Sequence, residues 1–214
     1  MEKQLFISIV ERYYPWISRL EKAAFQIHDD VNQKYDHVLP YGFHLKMVAS
    51  FVSRYGYLVA ESEADILVLY GSAYLHDTIE DARMTYNDIV KFIDDFRVGS
   101  LVLPEEIKRK LEEQVPEIVY ALTNEKGRNR KERANETYYK GIRDTRFASF
   151  IKMCDRLANI QYTMMFVFAN RMLEVYRREY PEFIWSISEG SVTPIPDVMK
   201  KEAERLLNSE SYVI

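Results

Sequence analysis

Residues 75–81 read LHDTIED, and within those seven positions stand four groups able to hold a cation or move a proton: His76, Asp77, Glu80 and Asp81. On a helix His76 and Glu80 lie four apart, as do Asp77 and Asp81, so each pair stacks one turn apart on adjoining faces. They follow directly on the apolar run ILVLYGSAYL, where ionised carboxylates without a partner cost several kcal/mol. A bound divalent cation removes that cost. Neighbouring side chains on a helix diverge by about 100°, so His76 and Asp77 reach one ion only if other segments complete the shell. Two donors sit in otherwise apolar helical patterns: His44 at the head of HLKMVASFV, and Asp155 inside IKMCDRLANI. A shell of His44, His76, Asp77 and Asp155 mixes imidazole with carboxylate, which suits Mn, Fe, Zn, Co or Ni better than Ca or Cu(I). Taken singly, the two histidines read as core residues and Asp155 as a surface carboxylate; alongside the Glu80/Asp81 pair, the metal reading prevails.

Helices have to bring these segments together. Phe6, Ile9, Val10, Tyr13, Ile17, Leu20, Ala24 and Ile27 recur every three or four residues, one buried stripe that Pro15 kinks or splits. The pattern repeats from His44 to Tyr57, and Glu63 to His76 is so apolar that it predicts the central helix. Thr85 reads as an N-cap, Pro104 as the first-turn residue of EEIKRKLEEQVPEIVYAL, Ile151 to Tyr176 as one long helix, and Asp197 to Asn208 as a last short one. Strand alternation is nowhere convincing. The basic run NEKGRNRKERANETYYK reads as a solvated loop and exposed helix face, or alternatively as a cationic wall beside an anionic substrate.

Composition agrees with a helical chain. With 47% hydrophobic, 29% charged and 14% aromatic residues but only seven Gly and seven Pro in 214, the sequence excludes a disordered chain and argues against a fold of many short strands. One all-α domain over residues 1–214 is expected. A formal net charge of -4 gives no broad attraction for nucleic acid. The single cysteine, Cys154, excludes an internal disulfide, suits a reducing compartment, and reads as a core residue. No stretch approaches eighteen uncharged apolar residues, so no membrane span is expected, and the protein is expected to be cytoplasmic.

The order His44, His76-Asp77, Asp155 resembles the H…HD…D signature of the HD-domain metal-dependent phosphohydrolases. Finer motifs are similar to the hydrolase domain of the RelA/SpoT homologues: AAFQIHDDVNQKYDHVLPYGFH for the family's helix, basic loop and PY-x-x-H, LHDTIED for HDxxED, VYALTNEK for V-x-x-LT, and IKMCDRLANI for K-x-x-DR-x-x-N. The resemblance covers residues 20–165. His44 comes sixteen positions after His28, a spacing like that in the stand-alone, hydrolase-only SpoT-like alarmone hydrolases.

That resemblance implies a compact HD-domain helical bundle with a helical extension over 166–214. It also implies one Mn(II) ion on His44, His76, Asp77 and Asp155, and hydrolysis of the 3'-diphosphate of guanosine tetra- or pentaphosphate to GDP or GTP and pyrophosphate. Fe, Co, Ni or Zn remain alternatives. Glu80 and Asp81 would orient and deprotonate the water or protonate the leaving group. Lys34 matches a lysine expected at a substrate phosphate, though Gln33 replaces the usual preceding arginine; Asn159 matches an asparagine expected at the ribose. Tyr162 stands where a threonine is common, and Lys126 and Arg133 resemble basic substrate-binding positions. Tyr41 is expected to pack or support His44. Gln33 and Tyr162 keep a second substrate class open, a phosphatase acting on another nucleotide such as the NADPH 2'-phosphate or a nucleoside monophosphate. A third reading is a nucleotide-binding module without turnover. The aromatic segment MMFVFANRMLEVYRREYPEFIWSI reads as core packing over the bundle, with a homodimer surface as the alternative.

Overall fold

A helix that is apolar on every face is stable only with neighbours all round it. The computed structural model, which describes residues 1–124, 127–166 and 170–209, meets that condition for the segment Glu63–Leu75: every residue from Ala64 to Leu75 is buried. In chain order the elements are α1 (Lys3–Arg12), α2 (Tyr14–Asp30), β1 (Lys34–Tyr35), β2 (Leu39–Pro40), α3 (Gly42–Tyr55), α4 (Glu63–Leu75) and α5 (Tyr86–Asp95). There follow α6 (Glu105–Leu122), α7 (Arg130–Arg133), α8 (Glu136–Asp144), α9 (Ala148–Met165), α10 (Asn170–Ser188) and α11 (Asp197–Asn208). Helices α1, α2, α3, α6 and α9 all pack on α4, and α3 packs on α9. The chain is thus predominantly helical, with α4 at its centre. Gly71 lets α6 approach closely, because a Cβ there would stand 3.0 Å from a Val115 methyl. Capping boxes start α4 (Ser62 with Asp65) and α5 (Thr85 with Asp88), each satisfying backbone N–H groups that the first turn leaves open.

The break at Pro15 is the one the sequence predicts, and several other boundaries differ. Pro15 splits the first stripe, with Tyr13 between α1 and α2. Pro104 is the N-cap of α6, in extended geometry at φ -52 and ψ 142, and the first helical turn begins at Glu105. The long helix from Ile151 to Tyr176 is two helices, because Phe166 turns extended at φ -128 and ψ 117 and ends α9. Residues 76–82 are a series of turns, where the sequence predicts a continued helix. The Thr78 amide and hydroxyl both bond the Leu75 carbonyl, at 3.0 and 2.7 Å, tightening and closing the last turn of α4. The basic run contains α7 and leads into α8, which buries Tyr138 and Ile142 while its remaining face is solvated. The β1–β2 hairpin is too short for its alternation to register in the sequence. Tyr176, Tyr180 and Phe183 of α10 are buried, and α10 packs on α8 and α9, as the core-packing reading expects. Cys154 is fully buried. No helix among the described residues is long and apolar enough to cross a membrane.

Candidate metal centre

Three elements meet at the C-terminal end of α4. His44 enters from the first turn of α3, His76 and Asp77 from the turn that ends α4, and Asp155 from the middle of α9. The α3–α9 and α3–α4 contacts bring them into one cluster. His76 Nε2 lies 2.7 Å from Asp77 Oδ2 and 3.3 Å from His44 Nε2, and His44 Nε2 lies 3.6 Å from Asp77 Oδ2 and 3.3 Å from Asp155 Oδ1. Among the described residues, His44, His76 and Asp77 form the group whose donor atoms all fall within 4.8 Å of one another, and Asp155 adjoins it through His44.

The separations among His44, His76 and Asp77 fit one ion, while Asp155 lies outside that group and touches it at His44 alone. With ligand bonds of ~2.1 Å, donor atoms stand ~3.0 Å apart along an octahedral edge and ~3.4 Å along a tetrahedral one. The donors' chemistry fits as well. His76 Nδ1 lies 3.0 Å from the Ala73 carbonyl, which only accepts, so Nδ1 donates there and Nε2 is the nitrogen that faces the cluster. Burial works to lower the His44 pKa, but hydrogen bonds and charge from Asp155 and Asp77 override it and hold the group at about 9. Burial alone would raise both carboxyls. The histidines instead hold Asp77 well below the usual carboxylate range, and Lys152, with Nζ 3.1 Å from Asp155 Oδ2, joins them in doing so for Asp155. The centre therefore keeps its carboxylates ionised and attracts positive charge.

Around it stand further residues, of which the sequence singles out Tyr41, as packing on or supporting His44. Tyr41 supports the centre through Asp77: its hydroxyl donates to Oδ2 at 2.6 Å, while its ring meets His44 edge-on. Tyr35 stacks on the His44 ring, and its hydroxyl donates to Asn159 Oδ1 at 2.7 Å. His28 is fully buried against the Tyr41 ring, with neither ring nitrogen hydrogen-bonded among the described residues, and burial lowers its pKa to about 4. Lys152 was legible as part of the same apolar α9 pattern that carries Asp155. Tyr41 is marked by the PY-x-x-H motif, whereas Tyr35 carries no sequence signal beyond its closeness to Lys34.

The remaining predicted residues separate into two groups. Glu80 is exposed, and Asn124 grips its carboxylate, donating to Oε1 at 3.0 Å and Oε2 at 2.8 Å. Asp81 is half-buried; burial, then the charge of Asp77, raise its pKa. Glu80, Asn124, Lys152, Asn159 and Arg133 line one cavity of about 480 Å³ that extends to Tyr176 of α10, a volume within the usual range for a small-molecule site. Asn159 Nδ2 donates to Asp155 Oδ1 at 2.6 Å, so the cavity opens directly beside the cluster. Lys34 is exposed on β1, with Tyr35 instead directed at the cluster. Tyr162 is buried, its hydroxyl donating to Asp36 Oδ2 at 3.0 Å. Lys126 lies outside the described residues.

No protein-family model, no curated protein and no solved structure matches this chain.

Proposed function

We propose that the chain is a metal-dependent phosphohydrolase of the HD type, with Mn(II) as its ion, that removes the 3'-diphosphate of guanosine tetra- or pentaphosphate and releases pyrophosphate with GDP or GTP. The observation that carries the reading is the convergence of His44, His76-Asp77 and Asp155 from three separate helical segments beside a nucleotide-sized cavity. When bound, the ion supplies polarisation of a phosphoryl oxygen and a lowered water pKa. The chain's own residues divide the rest. Glu80, oriented by Asn124 at the cavity wall, accepts a proton from the attacking water. Asp81, with its raised pKa, is the better proton donor and delivers a proton to the departing 3' oxygen. Lys152 places an ammonium on the cavity side of Asp155, where phosphate charge gathers. Arg133, exposed at the cavity wall, meets the rest of the nucleotide.

The test is product analysis. Guanosine tetraphosphate incubated with the protein and Mn should give GDP and pyrophosphate, and Asp77→Ala should abolish turnover. Release of orthophosphate, or turnover only of another nucleotide such as NADPH, would overturn the substrate assignment. Turnover that survives Asp77→Ala would overturn the site.

A further inference from the structure

A histidine that binds a metal through one ring nitrogen is ordinarily oriented by a hydrogen bond from the other. His76 has that support in the Ala73 carbonyl. His44 does not: its Nδ1 is buried without a hydrogen-bond partner among the described residues, although its Nε2 faces both Asp77 and Asp155. The ring is held instead by aromatic contacts, edge-on from Tyr41 and flat from Tyr35. The Tyr35 ring lies against it, with centroids 4.8 Å apart and planes inclined by 21°. The same tyrosine begins a relay, because its hydroxyl donates to Asn159 Oδ1 at 2.7 Å and Asn159 Nδ2 donates to Asp155 Oδ1 at 2.6 Å.

We propose that Tyr35 is the positioning residue of the metal centre, orienting His44 by stacking and Asp155 through Asn159. This rests on the reading of the cluster as a metal site. One hairpin side chain thereby sets ligands from two different helices, α3 and α9. The hairpin is built to present it. Successive strand residues face opposite ways, so Lys34 turns to solvent and Tyr35 to the cluster. Asp36 and His37 take left-handed backbone at φ 50 and φ 66 to make the turn, and Asp36 is tied back to α9 by the Tyr162 hydroxyl. Asn159 is already engaged at its carboxamide oxygen by Tyr35 and at its nitrogen by Asp155. Its first task is structural support of a ligand.

Mn(II) binding by electron paramagnetic resonance, with Co(II) absorption as a second signal, tests this without reference to turnover. Tyr35→Phe keeps the stack and breaks the relay, whereas Tyr35→Leu loses both. Supporting partners of this kind are worth about 10- to 100-fold in metal affinity. Tyr35→Leu should fall in that range, with an altered Co(II) spectrum, and Tyr35→Phe should lose several-fold. Circular dichroism confirms that both variants keep the fold. Wild-type Mn affinity in folded Tyr35→Leu would overturn the proposal while leaving the metal site standing. If Tyr35→Leu does not fold, unchanged affinity in Tyr35→Phe overturns the relay to Asp155. A wild-type chain that binds neither ion overturns the metal reading and the proposal together.

Discussion

Raising the pH should strengthen metal binding steeply, because the ion and a proton compete for His44. Without an ion, Asp155 and Asp77 keep His44 protonated up to about pH 9, and its Nε2 is the atom that faces the cluster. At neutral pH only about 1% of the chains have that nitrogen free, so the apparent affinity at pH 7 should lie roughly 100-fold below its limit, changing about tenfold per pH unit. Binding at pH 7 should release close to one proton. Calorimetric titration of Mn in two buffers of different ionisation enthalpy counts that proton directly. The sign for stability follows from the same shift. A histidine whose folded pKa lies above its unfolded value of about 6.5 contributes stability that is complete below that pH and lost as pH rises towards 9, up to roughly 3 kcal/mol in the metal-free protein. Saturating Mn should remove that slope. Affinity that is flat between about pH 6 and 9, with no proton released, would refute the reasoning.

Two substitutions probe the framework and the cavity separately. Asp65 is buried at the head of α4, where it accepts from the Glu61 and Ser62 amides and from both ends of the Arg146 guanidinium. Asp65→Ala should cost about 3 kcal/mol by guanidinium chloride unfolding, discounted because Arg146 can rehydrate. Although burial pushes the Asp65 carboxyl up, Arg146 and the Glu61 amide hold it below its ordinary value, so the deficit should shrink as pH falls below about 4; a constant deficit would contradict the ion-pair account. Asn124→Ala frees the Glu80 carboxylate and should lower kcat about tenfold with Mn affinity unchanged; a matching loss of Mn affinity would place Asn124 in support of the metal cluster instead.

The sequence made the candidate cluster legible because His44, His76-Asp77 and Asp155 stand out as polar groups in or beside apolar helical stripes, and burial of such groups demands a partner. The central place of α4 was legible for the same reason, since its run of apolar residues leaves no face for solvent. Local competition between backbone and side chain was harder to read. Thr78 ends α4 with its own hydroxyl, so Glu80 and Asp81 are carried on turns, and Glu80 owes its orientation to Asn124, far along the chain. Tyr35 was hidden by arithmetic: the motif pointed to Lys34, but a strand of two residues sends one side chain out and its neighbour in. The break at Phe166 gave no sign because the apolar pattern continues through it.

The most direct measurement is a crystal structure of the protein grown with Mn(II), with anomalous diffraction recorded at the manganese edge. One ion per chain is expected, with His44 Nε2, His76 Nε2 and Asp77 Oδ2 each within about 2.3 Å of it and Asp155 Oδ1 drawn in to complete the shell. An anomalous peak elsewhere, or none at this cluster, would contradict it.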